Sequence, residues 1–381
     1  MIFLILYAAL LFIAASTLGI GPDEAHTVFQ NSFYHFLYKL YPNELFVRLP
    51  NIVLTLLNVV LIYKLARIYL KKREDALLSA FVFALLPAVI GSAVVINKAP
   101  FILFLTLLFI FSYHKAPLLS YVFAAFLLFF DHAFATLFLA TAFYAYYKRK
   151  KEWIYFFGLF IASITFFGFD VGGKPKNFFL DTFAIFAAIF SPLLFLYFFY
   201  TIYRILIKEK KDLIWFISAT AFLFSLFLSF RQRIQLIDFA PFAVLGVILM
   251  VRTYKHSLRV RLKKHQIRLK RAFYVVIAVL LINDAALFLH RGIFWLWPTK
   301  SYFAYPFYVG EALAKRLKKE GISCIKANRF QEQLKFYGID ECEANRLFAQ
   351  QIPNGVKLEL KFGNRRVTEF YVSKSNTKID L

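Results

Sequence analysis

Apolar stretches close to the roughly 20 residues that cross a bilayer as a helix recur along this chain, separated by short polar breaks, as far as Leu289. Reading each break as a turn gives about eleven membrane spans. The first two cover about 2–20 and 51–70, and the second ends in Lys71-Lys72-Arg73. The third leads to Asn97 and Lys98, the fourth returns from Pro100 to His114-Lys115, and the fifth reaches Asp131-His132. A sixth returns to Lys148-Arg149-Lys150-Lys151, and the next pair flanks a loop, 170–181, that carries Lys174 and Lys176. The ninth ends at Arg231-Gln232-Arg233, the tenth at the basic run from Arg252, and the last leads out to Trp295 and Trp297. Basic clusters mark cytoplasmic ends, so the alternation predicts a cytoplasmic N-terminus and a periplasmic C-terminus in a bacterial inner membrane.

After Pro298 the pattern changes. An amphipathic helix is predicted at about 307–319, and Val356, Leu358, Leu360 and Phe362 alternate as in a strand before a Gly363-Asn364 turn. The expected fold is therefore an all-α polytopic membrane protein with a small C-terminal α/β periplasmic domain. The boundaries are 1–297 for the transmembrane domain and 298–381 for the soluble one. Within the first outer loop, 21–48, Phe29, Phe33, Phe36, Leu37 and Leu40 recur at the helical period and predict a helix lying in the membrane interface, begun by Pro22.

Composition supports the membrane reading. The chain is 60% hydrophobic with 50 Phe in 381 residues, beyond the roughly 45–50% apolar usage of soluble domains. The net charge of +24 would suggest nucleic acid in a soluble protein, but Lys and Arg here cluster between apolar runs, and the longest basic run, 252–271, separates two spans. Nucleic acid is accordingly excluded as a partner. The run at 2–20 lacks a basic leader and is followed by further spans, so it reads as a retained helix and not as a cleaved signal peptide. Both cysteines, Cys324 and Cys342, fall in the polar tail, where a bridge and two buried free thiols are both open readings.

Under this topology the outer-side polar groups are Asp23, Glu24, His26, Arg48, Asn97, Lys98, Asp131, His132, Lys174, Lys176, Arg231 and Arg233. Short outer turns should be poor in Lys and Arg, so these cations point to an anionic ligand. Asp23 and Glu24 lie in the first turn of the helix begun by Pro22, where the helix dipole favours ionised carboxylates; they either cap that helix or act as bases. Arg231 and Arg233 either anchor to lipid head groups or bind a phosphate. Asp131-His132 is either a satisfied polar turn or a base pair, and Asp238 and Asp284, inside spans but nearer their outer ends, are candidates for the same outer cavity. His26 has no second histidine at ligand spacing, so no cofactor is expected, with a divalent metal left open. Asp-Glu-Ala-His also spells a helicase box, but no phosphate-binding GxxxxGK[ST] element accompanies it.

Three stretches taken in order carry a resemblance: Gly-Pro-Asp-Glu-Ala after the first span, Arg48-Leu49-Pro50-Asn51 opening the second, and Ser229-Phe230-Arg231-Gln232-Arg233 with Asp238-Phe239-Ala240-Pro241 at the tenth. Over roughly the first 250 residues the chain resembles the glycosyltransferase-C superfamily, in the branch of protein O-mannosyltransferases and lipid A aminoarabinose transferases. That resemblance implies an inverting transferase that takes a sugar from a polyprenyl-phosphate donor to a lipid, glycan or protein acceptor on the periplasmic face. It implies Asp23 as general base with Glu24 as its partner, and Arg231, Arg233 and Lys98 at the donor phosphate. Arg48, Asp131 and His132 are further site candidates. A transporter of lipid-linked sugars and a non-catalytic membrane scaffold are the alternatives.

Overall fold

The computed structural model describes residues 2–168, 177–297, 299–300, 302–352, 355–362 and 365–374. Helices come first: α1 (Ile2–Thr17), α2 (Pro22–Gln30), α3 (Ser32–Leu40), α4 (Glu44–Tyr69), α5 (Arg73–Ala84), α6 (Pro87–Val94), α7 (Ala99–Lys115) and α8 (Pro117–Leu127). Then follow α9 (Phe134–Tyr147), α10 (Glu152–Phe167), α11 (Phe179–Phe190), α12 (Pro192–Lys208), α13 (Leu213–Ser229), a 3-10 turn (Leu236–Asp238), α14 (Ala240–Ala243), α15 (Gly246–Val260) and α16 (Lys263–Phe288). The tail contains α17 (His290–Leu296), α18 (Tyr305–Lys319), α19 (Gln331–Phe336), β1 (Asn345–Phe348), β2 (Val356–Phe362) and β3 (Arg365–Lys374).

The chain is thus mostly helical with a small C-terminal sheet, as the pattern predicted, but eleven spans do not follow. Among the described residues, α4 and α16, each 26 residues long, are the two helices long and apolar enough to cross a membrane. The number rises to five if three bent pairs each count as one span: α1 with α2 at 95°, α5 with α6 at 57°, and α11 with α12 at 105°. Pro22, Pro87 and Pro192 open the second helix of each pair, and a proline at the first helical position gives up only a donor that would be unpaired there. Five further apolar helices have 10–17 residues. At 1.5 Å per residue they reach about 15–26 Å, short of the roughly 30 Å hydrocarbon layer. Hydropathy marks each of these runs as apolar, and the breaks between them set their length.

Two compact units are present. The first combines Met1–Ile52, Val94–Asn97 and Ala286–Leu381; the second combines Val53–Ala93 and Lys98–Ala285. In the first unit β3 is the central strand of an antiparallel sheet of order β1-β3-β2. Leu358 and Leu360 of β2 join Leu313 and Leu317 of α18, Leu334 of α19 and Val372 of β3 in one core. Cys324 and Cys342 are bridged, which settles the choice left open by the sequence.

The tail also grips the segment after α1. Gln333, fully buried, donates from Nε2 to the Ile20 carbonyl at 2.6 Å, and the Ile20 N–H donates to Tyr337 Oη at 3.0 Å. A Cβ at Gly21 would lie 2.7 Å from the Phe307 ring, so a larger residue there would have to displace that ring. Ile20, Ala25, Val28, Val47, Ile96 and Phe336 form a second core in the same unit. The helix predicted from Pro22 is present as two pieces, α2 and α3. Asn31 Oδ1 accepts from the Phe33 N–H and starts α3 afresh, and α3 buries none of its side chains while exposing Phe33, Phe36 and Leu40.

Candidate functional site

The two adjacent acids of α2 have opposite environments, because consecutive positions on a helix are rotated by about 100°. Asp23 is exposed, and its carboxylate has no side-chain partner among the described residues. Glu24 is buried. Its Oε1 accepts from Arg48 Nε at 3.1 Å and from the Ile96 N–H at 2.7 Å, and its Oε2 accepts from Arg48 Nη2 at 2.6 Å and the Gly21 N–H at 2.8 Å. Arg48 is equally occupied: Nη1 donates to the Ala15 and Leu18 carbonyls at 2.9 and 2.5 Å, and Nη2 to the Gly19 carbonyl at 2.7 Å. All five guanidinium donors are used, and the positive group caps the carbonyl end of α1. Glu24 and Arg48 form a buried clamp that fixes the turn displaying Asp23. His26 pairs with Glu332 at 2.7 Å.

The second unit gathers a different set. Lys98 precedes α7, Asp131 and His132 lie between α8 and α9, and Asp238 ends the 3-10 turn before α14. Lys98 Nζ contacts both Asp131 oxygens and Asp238 Oδ1, each at 2.9 Å, and His132 Nε2 lies 3.1 Å from Asp238 Oδ2. Asp131 Oδ1 also accepts from the Ala133 N–H at 2.9 Å, which holds the turn in place.

His132 and Asp238 line a cavity of about 400 Å³, within the size range of small-molecule sites. Phe160, Ile164 and Phe167 of α10 and Phe224 and Leu228 of α13 give it an apolar wall, and Gln232, Arg233 and Gln235 add polar groups. Arg233 has no carboxylate partner among the described residues, and the buried Ser163 hydroxyl on the wall has no hydrogen-bond partner there either.

Electrostatics hold this cluster ionised. The hydrogen bond to Asp238 raises the His132 imidazole above its usual range, against a smaller opposing effect of burial. Burial alone would raise Asp238, but His132 and Lys98 outweigh it and leave the carboxyl below its usual range. Burial likewise opposes the Lys98 charge and is outweighed by Asp238 and Asp131, so the ammonium is held above its usual range.

Asp131, His132 and Asp238 bring three potential metal-ligand atoms within 4.8 Å of one another. Lys98 already contacts both carboxylates, so a divalent ion would have to displace an ammonium that neutralises the same oxygens. The residues present fit an internal cation better than a metal.

The sequence-expected residues therefore fall into separate groups. Glu24 meets Arg48; Lys98, Asp131 and His132 meet one another; Arg233 shares a cavity with His132; Arg231 is exposed and does not line it. Lys174 and Lys176 lie outside the described residues. Pattern reading placed Asp238 inside a span on the side of the outer cavity but did not pair it with Lys98 or His132, and it overlooked the α10 wall. The spacing Phe160, Ser163, Ile164, Phe167, a single helical stripe containing one hydroxyl, is the signal that could have revealed that wall. No protein-family model, no curated protein and no solved structure matches the chain.

Proposed function

We propose that this chain is a membrane glycosyltransferase that moves a sugar from a polyprenyl-phosphate donor to an acceptor hydroxyl on the outer face of a bacterial inner membrane. The observation that carries the reading is the cavity of the second unit, in which an aromatic wall adjoins an arginine with no acidic partner among the described residues. A ligand with a long apolar chain and an anionic head group matches both features.

In the reaction the acceptor oxygen bonds to the anomeric carbon while the bond from that carbon to the phosphate oxygen breaks. The lipid phosphate leaves with one additional negative charge, which Arg233 stabilises through charge-assisted hydrogen bonds. The hydroxyl proton passes to a carboxylate. For the base the resemblance implies Asp23, which is exposed and has no side-chain partner among the described residues, whereas Glu24 is already committed to four hydrogen bonds. The Asp238 carboxylate, held ionised between Lys98 and His132, is a second reading for the base, favoured by its position on the cavity wall.

Protein reconstituted in vesicles with a polyprenyl-phosphate sugar and an acceptor should release polyprenyl phosphate as glycoside forms. Asp23→Asn should lower turnover by about 10²–10⁴ with donor affinity retained. Full turnover by that variant, with loss in Asp238→Asn, would move the base to the cavity. Movement of the intact donor across the bilayer without transfer would replace the enzyme by a transporter.

A further inference from the structure

The second unit contains another cavity, of about 510 Å³, between α12, α15 and α16. Its lining is nearly all apolar: Tyr197, Met250, Tyr254, Phe273 and Val276 are representative, with Tyr254 and Phe273 stacked at 4.6 Å. The helix on one side, α16, buries only Leu280 and Asp284 along its 26 residues. Such an opening leaves apolar surface unpaired unless something apolar fills it.

Charge supplies the second observation. The cations of α15 are matched internally: Lys255 lies 3.3 Å from Asp75, which also pairs with Arg259, and Arg252 pairs with Asp212. The first turns of α16 are different. Lys263, Lys264, Arg268, Lys270 and Arg271 are exposed, and none has an acidic partner among the described residues. Residues three and four apart share a helix face, so Arg268 stands one turn before Ala272, and Arg271 one turn before Val275, both of which line the cavity. Helical side chains lean toward the N-terminus, which carries these two cations away from the apolar lining and toward a head group at its mouth.

We infer that this cavity binds one acyl chain of an anionic phospholipid, whose phosphate is held by Arg268 and Arg271. The apolar cleft supplies affinity for the chain, and the unmatched guanidinium groups supply selectivity for the charged head group. Tyr197 and Tyr254 fit this placement, since aromatic residues with a polar tip favour the level where chain and head group meet.

The test uses the purified full chain in neutral detergent, titrated with phosphatidylglycerol or phosphatidylcholine, with bound lipid counted by native mass spectrometry. Wild type should retain one phosphatidylglycerol in preference to phosphatidylcholine. Arg268→Gln with Arg271→Gln should lower phosphatidylglycerol affinity about 30-fold, roughly five-fold for each cation removed near an anionic head group, and lower phosphatidylcholine, whose choline offsets its phosphate charge, by much less. Ala272→Trp, which fills the cleft, should weaken both lipids, and an unchanged melting temperature confirms that each variant is folded. Equal affinity for the two lipids in wild type, or undiminished phosphatidylglycerol binding by the double variant, overturns the inference. Stoichiometric displacement by polyprenyl phosphate would also overturn it, assigning the cleft to the donor.

Discussion

Replacing Arg48 by Met should destabilise the first unit and leave the chemistry of Asp23 to suffer only indirectly. The substitution keeps an apolar stem of similar length and removes five hydrogen bonds. Glu24 keeps two backbone donors, from Gly21 and Ile96, but loses its counter-charge, and the carbonyls of Ala15, Leu18 and Gly19 lose the group that caps them. Removing one partner of a buried ion pair costs about 3–5 kcal/mol. For a unit of about 150 residues each kcal/mol moves the melting temperature by roughly 2–4 °C, so the expected drop is about 6–20 °C. Tryptophan fluorescence during thermal unfolding in detergent reads this directly. Arg48→Lys should fall between, because an ammonium keeps the charge but cannot bridge both carboxylate oxygens with a planar fork. A shift below about 2 °C for Arg48→Met would refute the clamp. So would Glu24→Gln abolishing turnover at an unchanged melting temperature, which would make Glu24 the base.

The remaining predictions concern the second unit. The raised His132 and depressed Asp238 give an ion pair with two limits of pH. The His132 contribution is full below about 6.5 and is lost as pH rises through its raised folded value, whereas that of Asp238 is present above about 3.9 and is lost as pH falls through its depressed folded value. The gap in melting temperature between wild type and His132→Gln should therefore be largest near pH 6 and shrink towards pH 9; a constant gap would contradict the ion pair. Lys98→Met should expose two carboxylates and an imidazole to a divalent ion, so Mn²⁺ binding measured calorimetrically should rise above wild type, and equal binding would show that Lys98 does not guard those oxygens.

Local signals in the sequence were legible wherever one face of an element meets one environment. The helix predicted at about 307–319 corresponds to α18, and alternation from Val356 to Phe362 corresponds to β2. The span count was not legible, because hydropathy reads apolarity and cannot show that Pro87 or Pro192 turns an apolar run through 57° or 105°. The division of labour between Asp23 and Glu24 was also hidden. Both suit a first helical turn, and only the folded position of Arg48, 24 residues further on, commits one of them. Asp238 required three distant stretches to meet before its ion pairs with Lys98 and His132 existed.

The central claim is that the cavity beside Arg233 receives a lipid phosphate. Photo-crosslinking with a polyprenyl-phosphate probe carrying a photoreactive group on its first isoprene unit, followed by peptide mass spectrometry, tests this most directly. The account predicts labels on Phe160, Phe167 or Phe224, reduced at least ten-fold in Arg233→Gln, about what loss of one charged hydrogen bond to phosphate implies. Labelling confined to other helices, or undiminished in that variant, would contradict it.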